Sequence, residues 1–180
     1  LIHRDKTGEG QYIDLSSSEC ISSLVGGELL QYAMNGTSPS RCGNQDEIMA
    51  PHQVYRCDGD DKWISIAVAN DEEWDSLCNV MGNPDWTKNE AYRFANRREI
   101  DSHMSEWTIH YNSMDLMHKL QEAGVAAMPS FSSEEILADP HIKAREKLVE
   151  VEHPYLGKKV VVTPPWKMSG TPAVIHKASP

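Results

Sequence analysis

The chain has 180 residues, with 17 Lys or Arg against 27 Asp or Glu, so its net charge is −10 with histidines neutral. A surface this acidic repels a phosphate backbone on average, and a nucleic-acid partner is excluded. No stretch approaches the roughly 18 consecutive apolar residues of a membrane span, and no basic segment precedes an apolar export signal, so no membrane partner is expected.

Taken in chain order, Gln11 to Leu15 alternates as a strand does, and residues 18–34 follow with Ile21, Leu24, Val25, Leu29 and Leu30 at helical spacing. Thr7-Gly8-Glu9-Gly10 lacks the third glycine of a dinucleotide loop and reads as a tight turn feeding that strand. A lone strand and helix cannot bury both faces, so this segment is expected to belong to a larger layer. The chain opens at Leu1 without an initiator Met and stops at Ser179-Pro180, which is read as a piece of a longer polypeptide. Residues 37–51, rich in Asn, Gly, Ser and Pro, read as a linker.

From His52 the pattern changes. His52 to Cys57 and Lys62 to Val68 are strand-like runs around Asp58-Gly59-Asp60-Asp61, which supplies hairpin turn chemistry. Asn70 followed by Glu73 predicts a capped helix start, and Trp74, Leu77, Cys78 and Met81 form its apolar stripe before Gly82. Asn96 with Glu99 predicts a second capping box, ahead of Ile100, Met104, Trp107 and Tyr111. Ser113 is expected to cap a third helix carrying Leu116, Met117 and Leu120. Val125 to Met128 reads as a short strand, Ser132 with Glu135 and Asp139-Pro140 as two short helix starts, and Leu148–Val151 with Lys159–Val162 as a hairpin around Pro154 to Gly157. The sum is an α+β fold with two hairpins around a helical layer, over residues 52–165. Repeated prolines make 166–180 an extended connector.

Few residues announce chemistry. Cys20, Cys42, Cys57 and Cys78 lack the close spacing of zinc or redox motifs, so no metal is expected and the thiols read as idle residues of a reducing cytoplasmic protein. The eight histidines are dispersed. His52 stands out because it lies beside Pro51, where a linker becomes a strand and a loop can approach a ligand. Ala67 to Asp71 carries small residues from a strand end to a helix start, whose amides can receive a carboxylate or thioester oxygen. Plain capping by Asn70 explains the same residues.

Arg-Asp-Lys-Thr-Gly-Glu-Gly-Gln at Arg4–Gln11 resembles a segment at the end of the large domain of family III CoA transferases, the CaiB/BaiF type (carnitine and bile-acid CoA transferases). The pieces from Pro51 to Gly59, Trp63 to Trp74, Leu120 to Ala127, Leu137 to His141 and Trp166 to Pro172 occur in the family's order and spacing. The resemblance implies that residues 1–36 are a remnant of a CoA-binding large domain, that 37–51 and 166–180 are the two linkers, and that 52–165 form the small domain of an interlocked homodimer. It implies an aspartate nucleophile that lies upstream of this chain and forms an aspartyl-CoA thioester, with acyl-CoA and a carboxylic acid as substrates and no tightly bound cofactor. Asp14 is not that nucleophile.

By the same resemblance Ala69, Asn70 and Asp71 lie in a loop that closes over the acyl site, and Ser17, taken to lie on the strand leading into the first helix, lines the active site in some members. The formyl-CoA branch is glycine-rich in this loop; Ala67 to Asn70 contains no glycine, which argues against formate or oxalate as substrate. Two alternatives stay open: an α-methylacyl-CoA racemase, with Asp71 as the nearest counterpart of a glutamate that exchanges the α-proton, and a non-catalytic binding or oligomerisation module.

Overall fold

The structure is a computed structural model that describes residues 1–87 and 92–175. Two compact units divide the chain, Leu1–Gly43 and Asn44–Pro180.

The first unit holds three helices: α1 (Ile2–Thr7), α2 (Ser17–Leu24) and α3 (Gly26–Asn35). The segment Gln11 to Leu15, expected as a strand, is not one, and a helix precedes it instead. Alternation gives a strand two distinct faces, but the strand forms only where a neighbour accepts its backbone hydrogen bonds. The helix expected over 18–34 is broken at Val25, where ψ turns to 35° ahead of Gly26-Gly27. Two successive glycines remove roughly 2 kcal/mol of helix propensity at that point. No residue of this unit is buried: Ile21, Leu24, Leu29 and Leu30 are all more than half exposed.

The second unit is built on a three-stranded antiparallel sheet of β1 (His52–Arg56), β2 (Trp63–Ala67) and β3 (Ala126–Pro129), in the order β1-β2-β3. The turn between β1 and β2 places Gly59 at φ 105°, which a side chain rarely adopts, and a Cβ there would stand 3.1 Å from Lys62 Cγ. Register pairs Tyr55 with Ile64 and Ile64 with Pro129, so Tyr55, Ile64, Ile66 and Ala127 share one face. On that face pack α4 (Asp71–Met81), α6 (Arg97–Thr108) and α7 (Ser113–Glu122). Trp74, Leu77, Ile100, Met104, Leu116 and Leu120 close the core with Val68 and Val125. A short 3-10 turn, Asp85–Thr87, and α5 (Tyr92–Ala95) lie between α4 and α6.

Side-chain capping departs from expectation in two helices. Asn112 caps α7 by accepting from Met114 N (2.9 Å) and Asp115 N (3.3 Å), while Ser113 is the first helical residue and is buried. Both residue types cap well, and the extended backbone at Asn112, ψ 134°, decides between them. At α6, Asn96 makes no capping hydrogen bond, because its ψ of 37° lies outside the extended region that aims a cap at the helix amides. Ser132 and Glu135 do form the expected capping box at α8 (Ser133–Ala138), and Asp139 caps α9 (Pro140–Ala144) through Ile142 N at 2.8 Å.

The remaining sheet is the hairpin of β4 (Leu148–His153) and β5 (Gly157–Val162). Polar groups in the core are answered. Tyr55 Oη donates to Asp101 Oδ1 at 2.6 Å, and burial together with that carboxylate holds the phenol far above its usual range. Cys57 is buried, and burial pushes its thiol up to about 11, which suits a packing residue and not a nucleophile. Among the described residues no helix is long and apolar enough to cross a membrane.

Leu116→Ala should lower the unfolding free energy by about 2–5 kcal/mol in urea titrations, whereas Val160→Ala, on an exposed hairpin position, should change it by less than about 0.5 kcal/mol. Equal effects would contradict this placement of the core. A second expectation concerns acid. Lys62 Nζ donates to Glu135 Oε1 at 2.7 Å, and this bond, helped by Ser132, holds the Glu135 carboxyl down at about 2 from 4.5. Because the folded state lowers this pKa, the stabilisation is complete above pH 4.5 and disappears as pH falls towards about 2. Glu135→Gln should flatten the acid limb of the stability curve over that window; an unchanged slope would argue against the Lys62 bond.

Candidate functional site

At the end of β2 the chain is still held like a strand. Val68 N donates to Pro51 O at 2.9 Å, and Ala50 N donates to Val68 O at 3.1 Å, which extends the pairing past both strand ends. Val68 is fully buried, so the chain is anchored one residue before it surfaces at Ala69. Asn70 then adopts extended geometry and caps α4, accepting from Glu73 N at 2.9 Å. Glu73 reaches back: its Oε2 accepts from Ala69 N at 2.7 Å and its Oε1 from Asn70 Nδ2 at 3.1 Å. Of the donors that made this loop a candidate receiver of a substrate oxygen, Ala69 N–H and the Asn70 amide are therefore engaged within the loop itself.

Beneath the loop lies a residue that spacing alone did not reveal. Arg93, on α5, is only 5% exposed. Its Nη2 donates to Asp71 Oδ1 at 2.6 Å and its Nη1 to Asn70 O at 2.9 Å. The guanidinium centre stands 4.9 Å from the Phe94 ring centroid and 5.8 Å from that of Trp74. A buried cation is costly without partners, and here two hydrogen bonds and two aromatic faces supply them. The only signal in the sequence is a lone cation set between Tyr92 and Phe94. Four residues on, Arg97 also approaches Phe94, at 5.2 Å, but spends its donors on carbonyls of Asp46, Glu47 and Met49.

His52 belongs to the same neighbourhood. It pairs with Ala67 across the ladder, its Nδ1 engages Asn44 O, and it lines a narrow cleft with Ala50, Pro51, Arg93 and Arg97. On its other side it borders a trough of about 510 Å³ over the sheet face away from the helices, where Val54, Ser65, Ala67, Ala126 and Met128 alternate outward. Asn70 and Asp71 are thus bound to Arg93, Ala69 is tied to Glu73 beside them, and His52 shares a cleft with Arg93. Ser17 is placed in the first unit and not on a strand: it is the exposed first residue of α2, next to Ser16, whose hydroxyl accepts from Glu19 N at 3.3 Å. Among the described residues no group of three His, Cys, Asp or Glu side chains is placed to hold a metal ion.

In this loop capping and clamping are made by separate groups, Asn70 with Glu73 for the first and Arg93 for the second. Asn70→Ala should cost about 1 kcal/mol of stability through the lost cap. Arg93→Met should cost about 2 kcal/mol, since it strips a buried charged hydrogen-bond donor from Asp71 and Asn70. Thermal unfolding of the two variants and their double mutant would check both values; a double mutant no worse than Arg93→Met would show that the cap and the clamp are one interaction.

The family model described as CoA-transferase family III matches residues 1–180. The chain is 34% identical over 173 residues to a succinyl-CoA:mesaconate CoA-transferase of Haloarcula marismortui, covering 94% of this chain and 43% of that protein. It is 32% identical over 186 residues to a succinate–glutarate CoA-transferase of Agrobacterium fabrum, covering 100% of this chain and 46% of that one. Among solved structures, a CaiB/BaiF family protein from Brucella suis superposes with a TM-score of 0.84 at 28% identity, over 99% of this chain and 47% of that one. The chain therefore spans just under half the length of these relatives.

Proposed function

The chain belongs to CoA-transferase family III, and from that membership we propose that it is the C-terminal part of an enzyme that moves CoA from an acyl-CoA to a carboxylic acid. The family match along all 180 residues carries this reading. In it, residues 1–36 belong to a large CoA-binding domain, 37–51 and 166–180 are linkers, and 52–165 form the small domain of an interlocked homodimer in the cytoplasm. The exposed apolar side chains of α2 and α3 support the first assignment, because a 43-residue unit in which no residue is buried gains little from folding alone.

The chemistry follows the route that the family resemblance implies. A carboxylate nucleophile, upstream of this chain, attacks the thioester carbonyl and releases CoA thiolate with formation of a mixed anhydride. The thiolate then attacks the enzyme's own acyl carbon, freeing the first acid and leaving an enzyme–CoA thioester. The acceptor carboxylate reverses the two steps and leaves as the new acyl-CoA. In this reading the chain supplies the segment Ala69, Asn70 and Asp71, with His52, as one wall of the acyl side, while Ser17 is a separate candidate substrate-binding residue of the large-domain part. Coenzyme A thioesters enter as substrates, and no resident cofactor takes part. The acids named for the two relatives are dicarboxylates, and we take that class as the acceptor.

Full-length protein incubated with succinyl-CoA and either mesaconate or glutarate should yield the new thioester, and acyl-CoA alone should leave an enzyme adduct that hydroxylamine cleaves. The 180-residue chain by itself should transfer nothing. Transfer by that chain, or deuterium wash-in at the α-carbon of a methylacyl-CoA without any acceptor acid, would sink the proposal; the latter outcome is racemase chemistry.

A further inference from the structure

We propose that Arg93 is a positioning residue for the acceptor acid: it holds the 69–71 segment from behind and cancels the charge of Asp71, so that an anionic carboxylate can approach. The inference rests on the acyl-side reading of that segment. Its starting point is an electrostatic conflict. Asp71, Glu72 and Glu73 follow one another at the start of α4, in a chain whose net charge is −10. A dicarboxylate acceptor arriving there meets like charge at short range, and like charges across a recognition surface weaken binding.

Two of the charges at this helix start are met by neighbours. Glu73 is tied to Ala69 N and to the Asn70 amide at 2.7–3.1 Å. Asp71 is 72% exposed, so it faces whatever approaches, and among the described residues its carboxylate is paired with Arg93 at 2.6 Å. The cation that meets it is itself almost completely buried, and so offers no charge to solvent except through Asp71.

The geometry also separates this role from ordinary helix support. The start of α4 is already capped by Asn70 and Glu73, so the helix does not need Arg93. Arg93 sends one arm of its fork to Asp71 Oδ1 and the other to Asn70 O, two groups of one exposed segment. A lysine carries the charge but lacks the planar fork that holds both. Trp74 and Phe94 fix the plane of the guanidinium. Arg97 cannot substitute, since its donors are bound to the carbonyls of the 46–49 segment.

The test is steady-state transfer by the full-length protein from succinyl-CoA to glutarate, with wild type, R93M, R93K, D71N and R93M/D71N. R93M should raise KM for glutarate about five- to tenfold, more at low salt than at high salt, with KM for succinyl-CoA nearly unchanged. D71N placed in the R93M background should bring the glutarate KM back to within about threefold of wild type, because the uncompensated charge is gone. R93K, which keeps the charge and carries the test if R93M fails to fold, should keep the glutarate KM and lose about fivefold in kcat. Equal rises in both KM values, failure of D71N to relieve R93M, or R93K identical to wild type in both parameters would overturn the inference while leaving CoA transfer intact. A wild-type protein that moves no CoA to glutarate or mesaconate removes the functional reading, and this inference with it.

Discussion

A three-stranded sheet has two faces, and in the unit from Asn44 to Pro180 the helices cover only one of them. That one-sidedness organises the rest. Residues of alternate registers go to opposite fates: Tyr55, Ile64 and Ile66 vanish into the core, while Val54, Ser65 and Ala67 look outward over the trough. The central strand β2 is paired on both sides, which makes its C-terminal end a well-anchored point from which a loop can emerge. Val68, held by Ala50 and Pro51 and buried, is the last anchored residue before that loop begins.

The loop itself is fixed by local polar chemistry and not by hydrophobic burial. Ala69, Asn70 and Asp71 are exposed, and exposed segments ordinarily fluctuate because little surface is removed from water. Here the reciprocal bonds of Asn70 and Glu73 satisfy the helix start from above, while the buried Arg93 fork holds the same residues from below. Arg93 in turn depends on α5 lying against Trp74 of α4, and Arg97 of α6 ties the 46–49 segment to the same aromatic, Phe94. Linker, strand end and helix start therefore share one support.

Local patterns were legible in the sequence and non-local pairings were not. The hairpin at Gly59, the cap at Asn70 and the box at Ser132 each depend on residues within four positions of one another, and each forms. Ser113 was one residue away from the true cap, because Asn112 and Ser113 are equally good caps until backbone geometry selects one. The strand expected at Gln11–Leu15 had the right alternation and no partner, a condition that no short window can report. Arg93 meets its partners 22 and 23 positions away, and the flanking Tyr92 and Phe94 alone do not distinguish a buried clamp from a surface cation. His52 was visible only as a residue at a junction; its place between the cleft and the trough follows from the ladder partner Ala67.

The net acidity of the chain also bears on the acids that the proposed enzyme handles. A net charge of −10 spread over a surface is screened within about 10 Å at ordinary ionic strength, so distant carboxylates matter little to a small anion at a site. In the proposed acyl-side reading, what decides its approach is the charge within the first few ångströms, where three consecutive carboxylates begin α4. A helix start favours negative side chains through its dipole, which explains why the acidic triplet suits the fold; the same triplet is unsuited to greeting an anion. Fold and proposed function thus pull the same residues in opposite directions. An arginine buried under the loop reconciles them, since it neutralises Asp71 without presenting a cation of its own to solvent. Its low exposure keeps that compensation local, where a surface lysine would be hydrated, mobile and screened.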